Sequence, residues 1–387
     1  MTTTSQSPIR VMRIIARMNV GGPAVQVSGL MRGINDIEFD QCLFTGFCGI
    51  EEIDYLETVA TDIQAIRIPG FGRRVSLYDD IRSFFFLVRA IRSFKPHIIH
   101  THTSKAGFLG RIASLVSLQK SIRVHTFHGH LLDGYFGKFK CFLIAMAEKS
   151  LGLITDELLS VGDKVREDLL QVGIGNKEKF NLMPPGLSIG ALQTKSESRA
   201  SLGISGESVQ CAFIGRVTKI KRPDRFLDVV AEIKKRELDL EFIMVGDGDL
   251  LEYCRHRIAK EGLPVSILGW QLDIERILSA SDIVILTSDN EGMPLSLIQA
   301  GMAALPVVAT KVGSVPEVVI DGISGFTSST NVLEIADALE NLFRNVDLRK
   351  QMGLAAQVFT LAHFGVNRLV RDHEVLYKKL NTNQATS

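Results

Sequence analysis

Residues 210–245 read QCAFIGRVTKIKRPDRFLDVVAEIKKRELDLEFIMV. An uninterrupted apolar run at 210–214 ends in a basic turn. A stretch with helical spacing follows over 222–236, and a second apolar run closes the segment at 240–245. Continuous rather than alternating apolar runs suit strands covered on both faces, and a helix between two such strands makes them parallel. The same rhythm extends outward. Strands are predicted at 265–268, 283–286 and 306–309 in the second half, and at 11–16, 98–101, 123–127 and 158–161 in the first. Helices are predicted at 24–33, 77–94, 105–118, 164–171, 249–260 and 294–302, with a last one over 364–380. The pattern predicts an α/β, doubly wound parallel-sheet fold. A Ser-rich, weakly patterned passage at 183–207 divides the chain into two Rossmann-like domains, 1–190 and 191–365.

The whole chain has 387 residues, enough for two domains, and 45% apolar with 22% charged residues is a globular composition. Lys and Arg (44) nearly balance Asp and Glu (43), so no bulk basic excess points to nucleic acid. Five cysteines form no CxxC pair, which fits neither a disulfide framework nor a zinc site and suits a reducing compartment. The polar N-terminus lacks the apolar core of a signal peptide, and no window is apolar enough to span a bilayer. A cytoplasmic protein is expected.

Open parallel sheets bind ligands beyond the carboxyl ends of their strands, so the strand-to-helix loops hold the candidates. After the first strand come Gly21 and Gly22, where a backbone without side chains lets a helix N-terminus approach an anion; a plain βα turn explains them as well. After the strand at 210–214 come Arg216 and Lys221, a planar fork and a point charge suited to a diphosphate, or else a solvated basic turn. The third loop is Glu291-Gly292-Met293-Pro294. Pro294 suits the start of a helix, the amides of Gly292 and Met293 are expected to bind an anion, and Glu291 either caps the helix or accepts bonds from sugar hydroxyls. The fourth is a histidine group: His97, His100, His102, His125, His128 and His130. It holds no HExxH and no i,i+4 pair on a helix. Its spacing follows two strands, which favours donation to hydroxyls or phosphates over metal binding.

Together these segments resemble the retaining glycosyltransferases of family 4, which have the GT-B fold. The match rests on Gly21-Gly22, Gly215-Arg216 with Lys221, Val245-Gly246-Asp247-Gly248, Glu291-Gly292-Met293-Pro294, the run from Leu305 to Thr310, and Val315-Pro316-Glu317-Val318-Val319. The run from His100 to Gly107 and the segment around His128 resemble the branch that builds capsular, exopolysaccharide and lipopolysaccharide chains. The resemblance implies two Rossmann-like domains facing a central cleft, the first holding the acceptor and the second a nucleotide-sugar donor, with a helix at 366–387 crossing back to the first domain. Arg216 and Lys221 would clamp the diphosphate, helped by the amides of Gly292 and Met293, and the Gly21-Gly22 loop would close over the phosphates. Glu291 would hold the donor sugar's hydroxyls, with His128 beside it as the second catalytic residue, and His102 and Lys105 would lie near the acceptor or sugar. No metal or other cofactor is expected. One departure stands out: where the family has a second glutamate contacting the ribose, this chain has Gln299, whose carbonyl still accepts a hydroxyl proton. The implied reaction is front-face substitution with retention, the departing diphosphate taking the acceptor's proton.

The expected activity is hexosyl or N-acetylhexosaminyl transfer to a glycan or a polyprenyl-diphosphate-linked acceptor in cell-surface polysaccharide synthesis. The alternatives are a GT-B epimerase and, because of Gln299, a catalytically silent nucleotide-sugar-binding protein. Arg73 and Arg74 precede a helix carrying Phe84-Phe85-Phe86-Leu87-Val88 among Arg82, Arg89, Arg92 and Lys95, and the stretch 135–143 mixes aromatics and lysines similarly. Such helices can rest in a headgroup layer, so an anionic membrane surface at the inner face of the cell membrane is an expected partner; the alternative is a helix packed on the sheet with a basic outer face.

Overall fold

The computed structural model describes residues 7–50, 52–129, 138–204 and 207–385. The chain divides into two compact units, Met1–Leu187 with Val366–Ser387, and Ser188–Gly365.

The first unit is built on a seven-stranded parallel sheet: β1 (Ile9–Ile15), β2 (Phe39–Thr45), β3 (Ile66–Arg67), β4 (Ile98–His102), β5 (Ile122–Phe127), β6 (Glu157–Ser160) and β7 (Phe180–Leu182), in spatial order β3-β2-β1-β4-β5-β6-β7. Its helices are α1 (Gly22–Gly33), α2 (Tyr55–Thr58), α3 (Leu77–Phe94), α4 (Ser104–Val116), α5 (Lys138–Leu153) and α6 (Asp163–Gln171). The apolar runs sit in the sheet's centre, where both faces are covered; the last five residues of β1 are all buried. The sequence pattern missed β2, β3 and β7. In β2 the polar Asp40 and Gln41 interrupt the run, while β3 and β7 are edge strands of two and three residues.

The second unit holds a six-stranded parallel sheet, β8 (Val209–Ile214), β9 (Leu240–Val245), β10 (Val265–Gly269), β11 (Ile283–Leu286), β12 (Val307–Thr310) and β13 (Gly325–Ser328), in the order β10-β9-β8-β11-β12-β13. Around it lie α7 (Lys195–Leu202), α8 (Pro223–Lys235), α9 (Leu251–Glu261), α10 (Ile274–Ala280), α11 (Leu295–Met302), α12 (Val315–Val318), α13 (Val332–Arg344) and α14 (Val346–Phe364). Helix α8 shows why the periodicity was readable. Phe226, Val229, Val230 and Ile233 recur on one face, are fully buried, and pack against Phe213, Phe242 and Met244 of the sheet. Each such side chain contributes about 1.5–3 kcal/mol by leaving water. The final helix, α15 (Val366–Ala385), follows the second unit in the chain but belongs to the first, where Leu369, Leu376 and Tyr377 join the core around β1, β4 and β5.

Both sheets reverse direction of winding beside their first strand, between β1 and β4 and between β8 and β11. At such a switch point the two following loops diverge and leave a crevice at the strands' carboxyl ends.

Candidate functional site

In the second unit, β8 and β11 flank the switch point, and their loops carry the charged candidates. Lys221 Nζ lies 2.5 Å from Glu291 Oε1, which also accepts a 2.5 Å bond from Ser288 Oγ. Both side chains are largely enclosed, at 18% and 9% exposure. The two loops are laced together. Arg225, buried at the start of α8, donates to the carbonyl of Thr287 (2.6 Å) and pairs with Asp289 (2.7 Å). The Asp289 amide donates to the Ile220 carbonyl at 2.9 Å, and Thr287 Oγ1 donates to the Lys221 carbonyl at 3.2 Å. From the β12 side, the Ser314 amide donates to the Glu291 carbonyl at 3.0 Å. Gly246 (φ +137°) presses the β9 loop against the β8 loop so closely that a Cβ there would fall 1.9 Å from the Gly215 carbonyl oxygen. A rigid cation with its counter-ion on the opposite loop results. An incoming anion can exchange for the carboxylate on Lys221, releasing Glu291 to accept hydrogen bonds from hydroxyls.

The remaining candidates of this unit take definite places. Arg216 is exposed, two residues past the end of β8 at Ile214. Gln299 is half-buried on α11. Glu291 does not cap that helix, since its carboxylate is directed at Lys221 and Ser288. Pro294 is itself the N-cap residue and the helix begins at Leu295. Gly292 and Met293 therefore lie in the turn ahead of α11, which starts one residue later than the predicted 294–302. A cavity of about 520 Å³ lined by Gln193, Arg199, Asp282, Leu305 and Arg349 opens at the amino ends of β8, β11 and β12, the opposite edge of the sheet from Lys221 and Glu291. It does not belong to the site.

The first unit's switch point is different in kind. Gly21 is the N-cap residue of α1 and Gly22 its first helical residue. Parallel register sets Arg13 beside His100, and His102 beside Thr126, on one face of the sheet. There Arg13, fully buried, donates to Tyr377 Oη at 2.8 Å; Tyr377 Oη lies 2.6 Å from His100 Nδ1, and His100 Nε2 lies 2.7 Å from Thr126 Oγ1. His102 stacks on His100 with ring centroids 4.2 Å apart, and its Nδ1 lies 3.0 Å from Nε2 of His128. On the opposite face His125 Nδ1 meets Thr101 Oγ1 at 2.8 Å. Gly107 of α4 makes room for that ring, since a Cβ would fall 2.5 Å from its Cε1. Burial holds His100, His102 and His125 well below the usual imidazole range and pushes His128 down to about 3. For His373 on α15, burial and then the Arg13 charge do the same, to about 3. These rings are neutral at physiological pH.

His97 is taken up locally, its Nδ1 accepting from the Arg10 amide at 3.0 Å. Lys105 pairs with Asp80 at 2.5 Å and donates to the Arg74 carbonyl. His130 and residues 135–137 of the second amphipathic stretch lie outside the described residues. No group of three or more His, Cys, Asp or Glu among the described residues is placed to hold a metal ion. On α3, Ser83, Leu87, Val88 and Ile91 face the core, while Leu77, Tyr78, Ile81 and Phe85 are exposed among Arg73, Arg74, Arg82, Arg89 and Arg92. None of the described helices is long and apolar enough to cross a membrane.

Sequence reasoning missed Arg13, Tyr377, His373 and the Ser288 contact. Arg13 left a signal, a charge inside an apolar strand at an inward position. Tyr377 and His373 left none, because they reach the site from the far end of the chain.

The pair of doubly wound sheets, each wound in the same order, constitutes a GT-B fold, and the comparisons agree. Anabaena HepE, solved in complex with UDP, is similar in structure with a TM-score of 0.80 at 19% identity, over 96% of this chain and all of that one. Residues 21–186 match a family model described as a glycosyl transferase 4-like domain, and residues 194–359 one for glycosyl transferases group 1. The chain belongs to the glycosyltransferases, one matched domain in each unit. Among its relatives, UDP-Gal:alpha-D-GlcNAc-diphosphoundecaprenol alpha-1,3-galactosyltransferase of Escherichia coli is 27% identical over 290 residues, 73% of this chain and 74% of the relative. The capsular polysaccharide biosynthesis glycosyltransferase CapM of Staphylococcus aureus is 20% identical over 302 residues, 76% and 79% of the two chains.

Proposed function

We propose that this glycosyltransferase moves a hexosyl or N-acetylhexosaminyl group, with retention, from a nucleoside-diphosphate sugar to a glycan or polyprenyl-diphosphate-linked acceptor, as a family 4 enzyme of cell-surface polysaccharide synthesis. The observation that carries the reading is the enclosed Lys221–Glu291 pair at the second switch point. Lys221, with Arg216 on the same loop, takes the diphosphate and offsets the charge that grows on it as the glycosyl bond breaks. The backbone of Gly292 and Met293 and the Gly21-Gly22 loop add neutral donors to the same phosphates. Glu291, once relieved of Lys221, holds the sugar's hydroxyls, Gln299 accepts from the ribose, and His128 donates to the transferred sugar. Lys105 belongs to the acceptor half, with the buried His102 in the same vicinity behind His128. In a front-face displacement the glycosyl–oxygen bond to the diphosphate breaks as the acceptor oxygen bonds to the same carbon face. The acceptor proton passes to the departing phosphate oxygen, so no carboxylate nucleophile is required. The residues assigned here supply the charge stabilisation without a metal.

The names of relatives support this reading: one uses UDP-galactose on a diphosphoundecaprenol-linked sugar and another acts in capsule synthesis. The test is release of nucleoside diphosphate from a panel of donors with a polyprenyl-diphosphate-linked glycan. Acceptor-dependent release with the anomeric configuration kept is expected; donor binding without release would favour a silent binding protein. The exposed apolar stripe of α3, with its three arginines and the two that precede it, suits an anionic bilayer, where such an acceptor would reside, and binds peripherally in this reading. Flotation with anionic vesicles should carry the protein upward at low salt and lose it at high salt. Equal flotation with neutral vesicles would count against the arginines.

A further inference from the structure

We infer that His102 fixes the tautomer of His128, so that His128 meets its ligand as an Nδ1–H hydrogen-bond donor. The inference rests on the reading of His128 as a sugar-binding residue only for the identity of that ligand; the tautomer follows from the first unit alone.

Proton positions can be followed from Arg13, which has donors and no acceptor. Its Nη1 donates to Tyr377 Oη at 2.8 Å and faces His100 Nδ1 at 3.3 Å. Tyr377 keeps its proton, because burial pushes the phenol up, and that proton points to His100 Nδ1. His100 Nδ1 is thus an acceptor. Its proton sits on Nε2 and is donated to Thr126 Oγ1 at 2.7 Å.

His102 lies directly against this ring and is wholly buried. The loss of water, and after it the neighbouring His128 and Arg13, keep it neutral, so one of its nitrogens donates and the other accepts. Its Nε2 is enclosed, with no partner among the described residues. If His128 were the donor in the 3.0 Å contact, the His102 proton would sit on that Nε2, a buried N–H with nothing to receive it. If His102 donates from Nδ1, only a lone pair is left unmet. Orphaned N–H groups are the rarer of the two in protein interiors. The proton between the rings therefore belongs to His102, His128 Nε2 is an acceptor, and its remaining proton is on Nδ1. Half-buried past the carboxyl end of β5, His128 then offers a neutral donor edge suited to a hydroxyl or phosphate oxygen. His102 touches no ligand in this arrangement and is a positioning residue.

Long-range proton–nitrogen NMR of the uniformly ¹⁵N-labelled full chain at neutral pH tests this without any ligand. His128 is expected to show a protonated Nδ1 and a bare, pyridine-like Nε2, with His100 showing the reverse. In His102→Leu, His128 should shift to the Nε2–H form, whereas in His102→Asn, whose amide can replace the Nδ1 donor, the Nδ1–H form should persist. A protonated Nε2 on His128 in the native chain overturns the inference, and so does an unchanged His128 spectrum in a folded His102→Leu. Should that variant not fold, the native spectrum decides alone. Donor titrations report separately on the ligand: His102→Leu should raise KM for the donor by about tenfold with kcat less affected, the effect of one misdirected hydrogen bond, and His102→Asn should restore it. If His128→Ala leaves donor binding unchanged while the native spectrum shows Nδ1–H, the sugar-binding reading fails and the tautomer stands.

Discussion

The two switch points of this chain share one topology and oppose each other in chemistry. Beyond β8 and β11 stand ions, Lys221 with Glu291, and Arg222 and Arg225 with Asp289. At the carboxyl ends of β4 and β5 stand uncharged rings, His102 and His128, backed by His100 and Tyr377. The difference follows from how each crevice is made. The second is a meeting of two loops, where charges keep part of their hydration and can change partners when an anion arrives. The first is an extension of the sheet itself, where side chains of β4 and β5 are dry and burial removes protons from imidazoles. One fold thereby carries an ionic switch point in one unit and a neutral, directional hydrogen-bonding one in the other.

The largest effect is expected where the charge is. Lys221→Ala and Glu291→Ala should each lower turnover at least a hundredfold, which corresponds to about 2.7 kcal/mol of lost transition-state stabilisation. Release of nucleoside diphosphate measures it, with thermal unfolding as the control for a carboxylate left buried without its cation. Variants that keep turnover within a few-fold of the native enzyme would reduce the ion pair to a loop fastener and erase the contrast between the two sites.

A smaller effect, confined to the first unit, concerns acid. His373 and His128 titrate at about 3 in the folded chain against 6.5 for an ordinary imidazole, burial being the main cause. Between these values the unfolded chain binds protons that the folded chain refuses. Stability is therefore complete above about 6.5 and falls as pH drops through the window, by about 1.4 kcal/mol per pH unit for each such histidine. Urea unfolding from pH 7 to about 5 should show that slope, and His373→Leu should flatten it by one histidine's share. A slope unaltered by His373→Leu would mean that the ring is already hydrated.

These contrasts were unequally legible in the sequence. The second site was readable because its members follow strands directly: Gly215-Arg216 ends one apolar run and Glu291 closely follows another. Local order in the chain is spatial order at a strand's end. The central strands and β10 were readable for the same reason, while β2 and the edge strands β3, β7 and β13 were not; in β2 the exposed Asp40 breaks the run. In the first unit the six histidines drew notice, but the separation of the five described ones into His97, His125 on one sheet face and the His100–His102–His128 line on the other depends on register, which a single strand's sequence does not contain. Tyr377 and His373 arrive from a helix more than two hundred residues downstream. Only the closure of α15 onto the first sheet brings them in.

The least effect, and the finest division between the sites, is expected at Gln299. It lies on α11 in the charged half yet is itself neutral, eight positions after Glu291. If it accepts from a ribose hydroxyl, Gln299→Glu turns a neutral acceptor into an ionised one, and such bonds are roughly twice as strong. The bound diphosphate repels the new charge, and Gln299, fifth of the eight residues of α11, lies beyond the turn where the helix's amino end would offset that. The balance should leave donor affinity improved by about 1 kcal/mol, near fivefold, in calorimetric titration with the nucleotide. The acid slope of the first unit should stay as it was. Tighter binding that also appears for the diphosphate without its ribose would show that the charge acts on the loop and not on the sugar. In that case the ribose assignment falls, while Lys221 and Glu291 keep their roles.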